Sequence, residues 1–238
     1  MAENQVKSNP KNEDYQESWD EYAASQGGSP VVLLPLEIGM KYDKDKDEMA
    51  FYRQRMRAGQ VSKIWKGIKD DFPYYMNIAP QLFVNPEKVF KGYINHFSKK
   101  DGNDSPESRT PFDLNINQPT WLLFSLGNRN WKFAKTGPQF STENDADDQT
   151  RNFVKIATFD DPRLPDDRMF PNTVDSSEEL NTRKLLLLAN RNRCAPKNLK
   201  YNLHVDILQE LMGEAHSTAV IIDPGGNNNP QPPYGDNY

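Results

Sequence analysis

The chain has 238 residues, a net charge of -5 and 36% hydrophobic residues, with a mean hydropathy of -0.87. This length suits one large domain, or one domain with extensions, and the low apolar content places part of the chain outside any core. The mild acidity argues against a chain-wide nucleic-acid binder. The single cysteine, Cys194, excludes an intrachain disulfide scaffold, so a reducing compartment is permitted. No run approaches membrane-span length, and the first thirty residues lack the apolar core of a signal peptide, so a cytoplasmic location without membrane contact is expected.

Residues 1–30 are polar and read as a flexible acidic leader. Tyr15, Trp19 and Tyr22 recur at i, i+4 and i+7, a spacing that would let the leader fold as a short amphipathic helix on a partner. Residues 31–100 read as an edge strand followed by a helical section. The strand is Pro30–Ile38, where Pro35 points to an edge or bulge because proline cannot donate to a ladder. Asp45 to Glu48 has capping-box spacing and predicts a helix carrying Met49, Tyr52 and Met56 on one face, interrupted at Gly59. A second helix is predicted through Val61, Ile64, Trp65 and Ile68. A third follows Asn85-Pro86-Glu87, with Val89, Phe90, Tyr93, Ile94 and Phe97 forming its apolar stripe.

Residues 98–111 read as a surface loop. Residues 111–224 then change period and predict a predominantly antiparallel β domain with strands at Trp121–Leu126, Trp131–Phe133 and Phe153–Phe159. The four leucines Leu185–Leu188 predict a strand buried on both faces. Tyr201, Leu203, Val205 and Ile207 alternate with polar residues, as a half-buried strand requires, and Thr218–Ile222 completes a hairpin with it. Residues 225–238, rich in Pro, Asn and Gly, read as a disordered tail. The expected fold is therefore α+β: an N-terminal helical section packed on a C-terminal antiparallel sheet, with a β-sandwich as one arrangement.

The chemistry is sparse. Asp43, Asp45 and Asp47 open like a calcium loop, but Glu48 and Gln54 stand where glycine and glutamate are needed. The acidic stretches around Glu143–Asp148 and Asp160–Asp167 lack defining spacing, and His96, His204 and His216 are scattered. No metal and no cofactor are expected. Cys194 follows Arg191 and Arg193 but has no identifiable base, and reads as an inert thiol. The weak catalytic candidates are His204 and Asp206, which share one strand face, where a carboxylate can orient an imidazole.

Six basic residues and no acid lie between Ala50 and Lys69, whereas Met1–Glu48 carries 11 acidic and 5 basic residues. Arg53 and Arg57, at helical i, i+4 spacing, with Trp65, form a candidate binding face. Trp121, Trp131 and Tyr201 form a second candidate, an aromatic sheet face for a sugar or other planar ligand. The absence of phosphate-loop, nucleophile-elbow and dinucleotide motifs favours a non-enzymatic interaction or assembly protein. Its partner would be another protein or further copies of itself. The alternatives are a small-ligand or carbohydrate-binding β module, and an enzyme using His204 and Asp206.

Overall fold

The computed structural model describes Tyr22 and residues 31–73, 86–98, 107–108, 114–116, 118–142, 153–163, 183–190, 197–211, 214–222 and 225–228. Within these the fold is mixed, with two α-helices and predominant β-structure. In chain order the strands are β1 (Val32–Asp43), β2 (Glu48–Arg55), β3 (Glu107–Ser108), β4 (Leu114–Ile116), β5 (Thr120–Leu126), β6 (Trp131–Phe133), β7 (Phe140–Thr142), β8 (Phe153–Phe159), β9 (Leu185–Asn190), β10 (Lys197–Leu211), β11 (Glu214–Ile222) and β12 (Gly225–Asn228). The helices are α1 (Ala58–Ile68) and α2 (Pro86–Phe97).

The first sheet runs β3-β2-β1-β5-β9-β8. The leucine run forms β9, and all of its residues from Leu185 to Asn190 are buried. Each such leucine removed from water contributes roughly 1.5–3 kcal/mol before chain entropy is counted. The second sheet runs β11-β10-β12-β4, with β6 and β7 also pairing β10. The predicted alternation in β10 is present: Tyr201, Leu203 and Val205 are buried while Asn202, His204 and Asp206 are half-buried. β10 and β11 pair antiparallel as the expected hairpin.

Several expectations are corrected. Among the described residues the helices follow β1 and β2, so strands precede the helical section. The segment from Glu48 forms β2, not a helix. Asp43 Oδ1 accepts the Asp45 N–H at 3.1 Å and the Lys46 N–H reaches the Asp43 carbonyl at 3.3 Å, so Asp43 closes a turn, a role short acidic side chains favour. Arg53 and Arg57 consequently share no helix face: Arg53 is buried on β2 and Arg57 caps α1. Gly59 lies inside α1 rather than interrupting it. The sheets are mostly antiparallel, but β1 pairs β5 in parallel and β12 pairs β4 in parallel. Gly225–Asn228, placed in a disordered tail by composition, form β12.

The strand of Pro35 is not an edge strand, because β1 lies between β2 and β5, but Pro35 itself stands one residue beyond the β1–β2 ladder, which begins at Leu36–Arg55. The Met56 N–H donates to the Pro35 carbonyl at 2.9 Å, and an antiparallel pair of this kind would normally return an N–H to the Met56 carbonyl. Proline has none to give. The Tyr93 hydroxyl from α2 donates to that carbonyl instead, at 2.6 Å, so the interior proline leaves no buried acceptor empty.

Val61, Ile64 and Ile68 of α1 and Val89, Phe90, Tyr93 and Phe97 of α2 are buried, as their spacing predicts. Trp65 stacks on Phe90 with ring centroids 4.7 Å apart. Tyr22 belongs to the same cluster: it meets Tyr93 edge-on at 5.5 Å, and its hydroxyl accepts the Leu33 N–H at 3.5 Å. Burial pushes this phenol well above its usual pKa. The leader anchor at residue 22 is therefore docked on its own chain; Tyr15 and Trp19 lie outside the described residues.

Candidate functional site

The β1–β2 hairpin holds a concentration of exposed apolar side chains. Its register opposes Met40 to Phe51 and Tyr42 to Met49. Directly opposed residues share a sheet face, so these four side chains form one strip. Tyr42 is 52% exposed, Met49 55% and Phe51 40%. Met40 packs partly into the core, and the Phe51 ring approaches Trp131 with centroids 6.2 Å apart. The strip is thus wet at the hairpin end and continuous with the core at its base. The Tyr42 hydroxyl donates to the Asp47 carboxylate, which raises the phenol's pKa.

The opposite face of the hairpin is polar and tightly held. Glu37 Oε1 accepts Gln54 Nε2 at 2.7 Å and the Tyr52 hydroxyl at 3.3 Å. Tyr52 lies across Gly39 and Gly127: a Cβ on Gly127 would stand 2.0 Å from its hydroxyl oxygen, and one on Gly39 would stand 2.9 Å from its ring. Two side-chain hydrogen bonds from Asn128 hold the Met40 backbone, Oδ1 accepting its N–H at 2.6 Å and Nδ2 donating to its carbonyl at 2.9 Å. The turn that presents Asn128 is fastened by buried Lys184, whose Nζ donates to the carbonyls of Asn128, Arg129 and Trp131 at 2.6, 2.9 and 2.5 Å. Burial, and then the positive charge of Lys132, pulls the Lys184 pKa down to about 7, against an upward pull from Asp161. The strip rests on a rigid base, which lowers the ordering entropy lost on contact.

A second polar cluster staples the segment after β8 to this sheet. Arg163 embraces Asp161, with Nε 2.9 Å from Oδ1 and Nη2 2.5 Å from Oδ2, and Nη2 also donates to Ser125 Oγ at 2.6 Å. Glu37 stands 3.9 Å from Arg163. This is a satisfied, largely buried ion pair. Asp161 is thereby occupied, and among the described residues no group of three His, Cys, Asp or Glu side chains could hold a metal ion.

The structure separates the two catalytic candidates. Asp206 Oδ2 accepts the Lys135 N–H at 2.9 Å and lies 3.4 Å from Arg183 Nη1. His204 turns instead to Ser141 on β7, whose Oγ lies 2.8 Å from Nε2. Desolvation lowers the His204 pKa and favours the neutral imidazole. Arg53 is buried, and exposed Arg57 donates its backbone N–H to Gln60 Oε1 at 2.8 Å. Trp65 is occupied by Phe90. Trp121, Trp131 and Tyr201 are buried: Trp121 stacks on Phe72 at 6.0 Å, and Tyr201 on Phe140 at 5.8 Å. Their rings build the core and present no aromatic platform to a ligand.

Sequence reasoning missed Tyr42, Met49 and Phe51, along with Asn128, Lys184 and Ser141. The hairpin strip had a signal: alternation on both sides of a charged tetrapeptide, Lys44-Asp45-Lys46-Asp47. Asn128 and Ser141 had none, because what they contact lies 88 and 63 residues away. No helix among the described residues is long and apolar enough to cross a membrane. No family model and no curated protein matches this chain.

Proposed function

We propose that the chain is a non-enzymatic protein-interaction module that docks a partner protein through the Tyr42–Met49–Phe51 strip. The observation carrying this reading is positional: among the described residues, three of the four exposed large hydrophobic side chains lie on one face of one hairpin. Such clustering, rimmed by polar residues, is what docking surfaces show. Covering the wet half of each side chain is worth about 1 kcal/mol, so the strip alone supports only a weak complex. Lys44, Asp45, Lys46 and Asp47 at the adjoining turn supply both charge signs. The fitting partner is therefore a protein groove with an apolar floor and a rim of mixed charge.

The test places a photo-crosslinking residue at Met49 of the full chain in its native cells, with Lys63 on the exposed face of α1 as the control position. The reading expects one discrete adduct at Met49, re-formed from purified components and lost with Phe51→Glu. Diffuse adducts matching those at Lys63, or an adduct indifferent to Phe51→Glu, would overturn it.

A second reading rests on the Ser141–His204 hydrogen bond. A neutral imidazole beside a serine hydroxyl can serve as a general base for that oxygen. Labelling of Ser141 by a fluorophosphonate, lost in His204→Ala, would support an acyl-transfer enzyme. Labelling no faster than that of other serines would remove this reading.

A further inference from the structure

The outer strand of the second sheet supports a separate conclusion. β11 pairs with β10 and, among the described residues, with nothing else. The direction of its backbone groups follows from its neighbour. On the β6/β7 side, the His204 N–H donates to the Gln139 carbonyl and the His204 carbonyl accepts the Ala134 N–H, at 3.1 and 2.9 Å. Even-numbered residues of β10 therefore face β6 and β7, and odd-numbered ones face β11. Through the Val205–Val220 and Ile207–Thr218 pairs, the even residues of β11 face β10. The N–H and C=O groups of Ser217, Ala219 and Ile221 point outward.

Those residues are exposed, Ile221 at 59%. From Ala215 to Ile222 the sequence AHSTAVII has no Asp, Glu, Lys, Arg or Pro. Sheet edges normally carry such residues to prevent strand addition. Among the described residues the edge is uncovered, and its sequence is β-branched and uncharged.

We infer that β11 is a self-association edge: two copies pair β11 to β11 antiparallel about a two-fold axis, joining their second sheets into one. The sequence suits a second copy. With the axis at Ala219, Ala219 opposes its own equivalent, and Ser217 opposes Ile221 in both directions. All of these are outward-facing residues, so each pair exchanges both of its N–H···O=C bonds. A neutral segment opposes no charge to itself, which removes the usual penalty on pairing a strand with its own copy. The interface is isologous and therefore closes at a dimer. It is independent of the hairpin strip, so Phe51→Glu leaves it intact.

Light scattering after size exclusion, on the full chain across a concentration series, tests this together with amide exchange. The expected result is a dimer of the 27.4 kDa chain. The amides of Ser217, Ala219 and Ile221 should gain protection as concentration rises, while those of Thr218 and Val220 stay protected throughout. Ala219→Pro removes only an outward N–H, a position where an edge strand accepts proline. It should give a monomer with the β10–β11 amides still protected, and Ile221→Lys should do the same by charge. A monomeric wild-type chain with fast exchange at the outward amides would overturn self-pairing and leave the edge to an extended peptide of another protein. A dimer that survives both substitutions would also overturn it.

Discussion

The proline in the middle of β1 sets up a measurable exchange of hydrogen bonds. Tyr93 is buried, donates to the Met56 carbonyl at 2.6 Å and accepts from Arg55 Nη1 at 3.3 Å. Tyr93→Phe keeps the ring and removes the hydroxyl. The Met56 carbonyl then has no donor from Pro35 and none from α2, and leaving such a group unsatisfied costs about 1–3 kcal/mol. For a chain of this size about 2 kcal/mol corresponds to roughly 4–8 °C in Tm. Thermal and urea denaturation followed by circular dichroism would read it. A double mutant isolates the cause: Pro35→Ala restores an N–H opposite Met56, so Pro35→Ala/Tyr93→Phe should be more stable than the sum of the single effects by about 1 kcal/mol. If Tyr93→Phe changes Tm by less than about 1 °C, or if the two substitutions simply add, the account of the interior proline is wrong.

Other expectations follow from the same framework. Gly39→Ala forces a Cβ to within 2.4 Å of Asn128 Oδ1, so it should cost about 1–3 kcal/mol and speed amide exchange at Met40. The folded pKa of Lys184 lies at about 7 against an ordinary value of 10.5. Between those values the unfolded chain binds more protons, so stability should rise with pH across that window and level off below it, the neutral amine still serving two of the three carbonyls. Urea titrations at pH 7.5 and 9.5 should show the rise, and Lys184→Met should flatten it while lowering stability by loss of the carbonyl contacts. By contrast, Phe51→Ser, on the half-exposed strip beside Trp131, should change stability by only about 1 kcal/mol, yet reduce binding of an apolar dye. A dye signal unchanged by Phe51→Ser would show that the strip is not the exposed apolar surface of the molecule.

Much of the fold was legible wherever a strand or helix expresses its burial locally. The four leucines of β9, the alternation of β10 and the stripes of α1 and α2 each encode their environment in adjacent residues. The misreading of Glu48–Arg55 arose because Met49, Tyr52 and Met56 satisfy helical spacing, whereas Met49 and Phe51 also satisfy alternation. Pairing along β1 decided between them. Arg53, read as part of a binding face, is buried, and so is Arg55, which lies over the Phe97 ring at 3.9 Å. His204 was legible as a polar residue on the half-buried strand; its partner was not, since Ser141 reaches it through the β7–β10 register. Site chemistry here is a matter of register between distant strands, to which local spacing is blind.

The parallel pairing of β1 with β5 has a consequence for synthesis on the ribosome. Val32 aligns with Thr120 and Ile38 with Leu126, so β1 cannot complete its sheet until some 88 further residues have been made. At about 5–20 residues per second this delay is roughly 4–18 s. The β1–β2 hairpin and both helices emerge within it and, with Tyr22, are available to cover Leu33, Leu34 and Leu36. The nascent chain therefore holds an unfinished apolar strand during translation, the condition under which a holdase engages. Slowing elongation between residues 60 and 120 should lengthen that engagement, while slowing it after residue 126 should not.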